Sequence, residues 1–171
     1  RIILYLSIGI SGIPQSEASS TPNQNESHRR LQTIADQQIN YFTAENQAAS
    51  ATAVLSDQKI AITWDDNIRD GSEISVWARV FYFNGSEQTP EFQANQYTTS
   101  AQHLPNIAAL TNGGFAIVWQ SNHQDTSGYG VYARIYNSNG AAITNEFKVN
   151  THTDQSQDNP VVAGLSDGKL V

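Results

Sequence analysis

Between residues 95 and 149 apolar side chains alternate with polar ones in four short runs. The first is Ile107–Leu110; the second is Phe115–Gln120, with Phe115, Ile117 and Trp119 on one face. In the third, Val131–Tyr136, Val131, Ala133 and Ile135 oppose Tyr132, Arg134 and Tyr136, and the fourth is Ile143–Val149. Period-two alternation rich in Val, Ile and aromatic residues predicts β-strands. The breaks are Asn112-Gly113-Gly114, the loop from Ser121 to Gly130, and Asn139-Gly140. Asn-Gly between alternating runs predicts a tight hairpin whose two central residues have positive φ. Four strands joined in chain order make an antiparallel meander.

The preceding stretch follows the same plan, with Ile60, Ile62 and Trp64 on one strand, Val76, Ala78 and Val80 on the next, and a turn at Asn84-Gly85. Laying 40–94 over 95–149 without a gap gives 19 identities in 55 positions, and the 22 residues from Asn150 give 7 against 95–116. Trp64 falls on Trp119, Asp70 on Asp125, Ala78-Arg79 on Ala133-Arg134, and Asn40, Asn95 and Asn150 form a triple. A gapless period of this size marks a repeat architecture, in which one supersecondary unit buries its apolar face only against its neighbours. A β-repeat domain over 36–171 follows, with units 40–94 and 95–149, a partial unit 150–171, and 36–39 as the tail of an earlier unit. The expected fold is all-β: repeated four-stranded antiparallel meanders, propeller-like, or else an open sandwich or an elongated stack of sheets. Propellers close with about four to eight blades, so these units make an incomplete ring. A free strand edge left this way invites pairing with another copy or a neighbouring repeat.

Residues 2–13 form an apolar run too short for a membrane-spanning helix, which takes about 20 residues. Its length suits the core of a signal peptide over 1–18, with Ser16 and Ala18 as small residues before the cleavage point; a first strand of the fold is the alternative. Residues 19–35, rich in Ser, Thr, Asn and Gln, have too little apolar surface to offset their ordering entropy and are expected to form a flexible linker. The net charge of −7 is spread out, which argues against a nucleic-acid footprint. With no cysteine, packing across repeats must hold the fold.

The run from Pro105 to Thr153 resembles a repeat of roughly fifty residues common in very large secreted and cell-surface bacterial proteins, which often also carry glycine-rich calcium repeats or cadherin-like modules, with related arrays in some protists. The residues carrying the likeness are Pro105, Leu110, Gly113-Gly114, Trp119, Gln124-Asp125, Gly130-Val131-Tyr132-Ala133, Asn139-Gly140, Glu146-Phe147 and Asn150. The first unit departs from this pattern: Ser50 replaces the proline, Gln58-Lys59 the glycine pair, and Glu73 and Ser75 the loop glycines. The resemblance implies a propeller-like β fold and extracellular adhesive or structural roles, with no catalytic residues to carry over.

The loop after each repeated tryptophan is the first candidate for a site. Asp65, Asp66 and Asp70 in unit one, and Asn122 and Asp125 in unit two, offer hard oxygens of the kind calcium takes. The same residue types also make turns by bonding their own backbone. Trp64 and Trp119 share a face with Ile and Phe and read as core, so Tyr97 and Tyr129, in loops, are the better glycan-stacking candidates. Arg79 and Arg134 are expected to satisfy carbonyls or to pair with Glu91 and Glu146. The histidines show no metal-ligand spacing, and no nucleophile motif occurs. Asn25 and Asn84 begin glycosylation sequons, usable in a eukaryotic secretory pathway. The resulting expectation is a secreted or surface-displayed β-repeat protein with a structural or adhesive role and no catalysis. A carbohydrate-binding propeller module and a propeller glycoside hydrolase are the alternatives.

Overall fold

The structure, a computed structural model, describes residues 37–171 together with short strands at 3–4, 7–8 and 32–33. Those strands are β1 (Ile3–Leu4), β2 (Ser7–Ile8) and β3 (Gln32–Thr33), followed by β4 (Gln37–Gln38). β1 pairs antiparallel with β4, and β2 with β3. Apart from these pairs, the expected signal peptide and linker lie outside the described residues. Among the described residues there is no helix, and so none long and apolar enough to cross a membrane.

The rest is two copies of one four-stranded antiparallel sheet in meander order. The first sheet holds β5 (Gln47–Val54), β6 (Lys59–Asn67), β7 (Ile74–Tyr82) and β8 (Phe92–Gln93). The second holds β9 (Gln102–Ala109), β10 (Phe115–Asn122), β11 (Tyr129–Tyr136) and β12 (Phe147–Lys148). Two boundaries differ from expectation. The first strand of unit two begins at Gln102, earlier than Ile107, because a bulge between Val118 and Gln120 restores pairing beyond Pro105. The fourth is only Phe147–Lys148, because the chain from Ile143 is tied down by Ile143 N–H and Thr144 Oγ1 bonds to the Ile135 backbone rather than by a ladder.

Each four-stranded sheet has a large face and a small one, which follows from the alternation. In register, Phe115 faces Tyr136, Ile117 faces Arg134 and Trp119 faces Tyr132, giving the second sheet a face of bulky rings. Opposite them the first sheet presents Ala53, Ala61, Val76, Ala78 and Val80, and the two faces close into one core in which Trp119, Phe115 and Ile117 have no exposed surface. Tyr136 stacks on Phe115 at 5.1 Å and tilts against Phe92 at 5.3 Å. Small residues opposing large ones let the layers interdigitate at interior packing density. The first sheet's own bulky face, Ile60, Ile62, Trp64 and Phe81, forms a separate buried cluster with Ile39.

The hairpins are built differently from the expected two-residue turn. Gly140 N–H bonds Asn137 O, Asn137 N–H bonds Ala141 O, and Gly140 alone has positive φ, at 79°. This is a type I turn closed by a left-handed residue, the commonest three-residue hairpin. The same pair of bonds recurs at Tyr82–Ser86, Leu110–Gly114 and Leu165–Lys169.

Candidate functional site

The corner between units is made by the same side chains each time. Asn95 Oδ1 accepts from Val76 N–H at 2.8 Å, while its Nδ2 reaches Tyr97 O and Gln102 Oε1. Asn150 repeats this with Val131 N–H, His152 O and Gln157 Oε1. Asn40 bonds Phe42 O and Gln47 Oε1. The Asn triple visible in the sequence is therefore a structural corner, and it works with a second triple, Gln47, Gln102 and Gln157, which pattern reading passed over. Their identical spacing, seven residues after each Asn, was the available signal.

Arg79 donates Nε to Thr89 O at 3.1 Å and Nη1 to Ile39 O at 2.8 Å; Arg134 does the same to Thr144 O and Ala94 O. Bonding to carbonyls is as expected. Pairing with Glu91 and Glu146 is not: Arg79 pairs with Glu87 at 2.5 Å and also meets Tyr41. The two repeat glutamates instead accept backbone N–H groups of the corner, Glu91 from Tyr41 and Glu146 from Gln96. Glu91 is also held by Arg69 at 2.5 Å.

The acidic candidates after Trp64 are dispersed among structural tasks. Asp65 accepts Leu104 N–H of the next unit at 3.2 Å; Gln120, at the repeat-equivalent position, accepts Asn159 N–H at 2.8 Å. Asp66 meets Gln47 and lies 3.5 Å from Arg69, whose guanidinium stacks 3.5 Å above the Trp77 ring. Asp70 accepts Ser72 N–H and Gln93 Nε2. Burial pushes the Asp65 carboxyl above its ordinary range against the opposing pull of Leu104 N–H and His103; Asp66 is raised by burial against Gln47 and Arg69. His103 is lowered, chiefly by burial, against the attraction of Asp65.

In unit two, Asn122 Nδ2 bonds Ser100 Oγ at 3.1 Å, so its amide closes the loop onto the chain before β9. Neither Asp125 oxygen meets a donor within the described residues, and one lies where a side chain at position 130 would have to go, which is why Gly130 stands there. Among the described residues, no three His, Asp or Glu side chains gather where a metal ion could be held.

Tyr97 is half-buried in the corner, its N–H on Glu146 and its carbonyl on Asn95. Tyr129 is the first residue of β11, not a loop residue, and its ring sits edge-on to His103 at 5.2 Å. Asn25 lies outside the described residues. Asn84 is exposed in the turn after β7, and its Oδ1 accepts from both N–H and hydroxyl of Ser86. Trp64 and Trp119 are wholly buried, as the alternation indicated.

Comparison of the sequence with protein-family models gives no match, and comparison with curated proteins gives none either.

Proposed function

We propose that this chain is a structural and adhesive β-repeat module of a secreted or cell-surface protein, propeller-like in arrangement, that acts without catalysis by stacking onto further units of its own kind. The observation supporting this reading is the repeated latch between units. Arg79 and Arg134 bond the junction carbonyls, Asp65 and Gln120 catch the next unit's backbone, and the Asn–Gln corners recur at the same period. Polar side chains committed to holding one unit on the next build length, not a reactive centre. The small-residue face of the second sheet carries the consequence. Val131 and Ile135 are half-buried and Phe147 and Val149 are 39% and 49% exposed, whereas their equivalents Val76, Val80 and Ala94 are fully buried and Phe92 is half-buried against the next sheet. An apolar face of this kind marks an interaction site, and the fitting partner is the bulky face of another repeat.

Light scattering on the purified chain over a concentration series tests this. Association that grows with concentration and is lost in Ile135→Asp supports stacking through this face. A monomer at every concentration, unchanged by Ile135→Asp, overturns it.

A further inference from the structure

Besides its post-tryptophan loop, unit one breaks the repeat pattern at the hairpin end of its sheet. Unit two has Asn112-Gly113 in its first hairpin and Asn137-Ser138 in its second; unit one has Asp57-Gln58 and Tyr82-Phe83. The second hairpin of unit one keeps both bonds of its counterpart and the first keeps Leu55 N–H to Lys59 O, while Phe83 N–H joins the two by bonding Gln58 O at 3.1 Å. Gln58 therefore takes the place of a glycine while keeping a left-handed φ of 62°. A non-glycine residue in that region costs about 1–2 kcal/mol, and strain retained in this way points toward a use for the side chain.

The two loops enclose an open cleft of about 390 Å³ lined by Asp57, Gln58, Tyr82, Phe83, Asn84 and Ser86. That volume lies at the small end of the range for ligand clefts, about 300–1,000 Å³. Tyr82 is 40% exposed, and Lys59 Nζ lies 5.7 Å from its ring centroid. Lys59 also bonds Asp57 at 2.8 Å and Asn139 of unit two at 2.8 Å, so the cleft is braced across the unit junction. The Asn84 bonds to Ser86 use its Oδ1, and Asn84 lines the same cleft as Asp57.

We infer that this cleft binds a neutral saccharide, one pyranose ring packing on Tyr82 with its hydroxyls bonding Asp57, Gln58 and Asn84. A pyranose has an apolar face and a rim of hydroxyls, and the cleft offers an aromatic ring beside amide donors and a carboxylate acceptor. Lys59, the cation beside the cleft, is already held by Asp57 and Asn139, which favours a neutral ligand over an anion on a chain of net charge −7. A purely apolar ligand would strand the polar rim. The inference gives the adhesive half of the proposed function a ligand class; it does not depend on stacking through Ile135, which is tested separately.

The test is a titration of the full chain with methyl glycosides of glucose, galactose, mannose and N-acetylglucosamine, followed by amide shifts in two-dimensional NMR. Saturable shifts confined to 56–59 and 82–86 with at least one glycoside are expected. Tyr82→Ala and Asp57→Asn, both exposed positions, should each weaken binding about tenfold or more while the rest of the spectrum is kept. Gln58→Gly should melt higher than the parent, because the strain is released, and bind more weakly. Shifts with no member of the panel overturn the inference, as do shifts centred on Tyr97 or Tyr129, or binding unaltered in both Tyr82→Ala and Asp57→Asn. None of these results bears on the light-scattering outcome, so the two readings fail independently.

Discussion

Arg79 and Arg134 occupy the same place in successive units, yet replacing each by methionine should have unequal consequences. Arg79 has no exposed side-chain surface, and its guanidinium supplies Thr89 O, the buried Ile39 O and Glu87. Methionine fills most of the stem volume and removes every donor, so the change isolates the polar loss from cavity formation. A buried acceptor left unpaired costs about 1–3 kcal/mol. With Thr89 half-buried, the two carbonyls together come to roughly 2–4 kcal/mol. The pair with Glu87 adds little, since Glu87 is half exposed. Arg134 is half-buried, and Ala94 O keeps a second donor, the Tyr136 hydroxyl at 3.1 Å. Arg134→Met should therefore cost about 1 kcal/mol or less. At this chain length each kcal/mol moves the melting temperature by about 2–4 °C. Thermal unfolding followed by circular dichroism should show Arg79→Met down by roughly 4–16 °C and Arg134→Met by about 4 °C or less. Urea midpoints with unchanged slope should give the same order. An Arg134→Met loss equal to or larger than that of Arg79→Met would refute the reasoning.

Gly140→Ala should destabilise more than Gly71→Ala: both glycines have positive φ, but an added Cβ at 140 meets Thr89 Cγ2 at 2.9 Å and Phe92 Cε1 at 3.2 Å, whereas position 71 is open. The difference should be about 1 kcal/mol or more by urea titration. His103 has a folded pKa below its ordinary 6.5, so the unfolded chain takes up the proton first, and this contribution to stability, fully present above 6.5, is lost as pH falls through the folded value. His103→Gln should flatten that part of the melting-temperature profile; an unchanged acid slope in the variant would contradict the assignment. Trp119→Ala should cost about 3–5 kcal/mol, because the ring is wholly buried between the sheets, and a loss under about 1 kcal/mol would mean that the two sheets are not packed through it.

The architecture was legible because it rests on periodicities. Alternation fixed which side of β10 carries Phe115, Ile117 and Trp119, and the 55-residue register found Asn40, Asn95 and Asn150 before any contact was visible. What sequence reading left open were polar roles, because several arrangements satisfy the same residue types. Glu91 and Glu146 sit in the right units to pair with the repeat arginines, but backbone N–H groups at Tyr41 and Gln96 are nearer and need an acceptor. Asp65, Asp66 and Asp70 look like a ligand cluster along the chain, yet Asp65 and Asp66, being adjacent in a strand, point to opposite faces. Gln47, Gln102 and Gln157 were in plain register, but glutamine on a polar surface carries no signal until its carbonyl partners are in place. The Tyr82 cleft was invisible for another reason: its parts come from two hairpins, and loss of the glycine pair reads in sequence as decay.

The bulky face of the second sheet fits the small face of the first. A stack continued this way would have a direction, as a screw thread does. Because the Asn–Gln corners and the arginine bonds recur at one interval, removing or adding a whole 55-residue period would keep them in register, whereas an odd-length change within a strand would turn its rings to the other face. Genes encoding such chains could then change the reach of the protein by in-frame recombination between units.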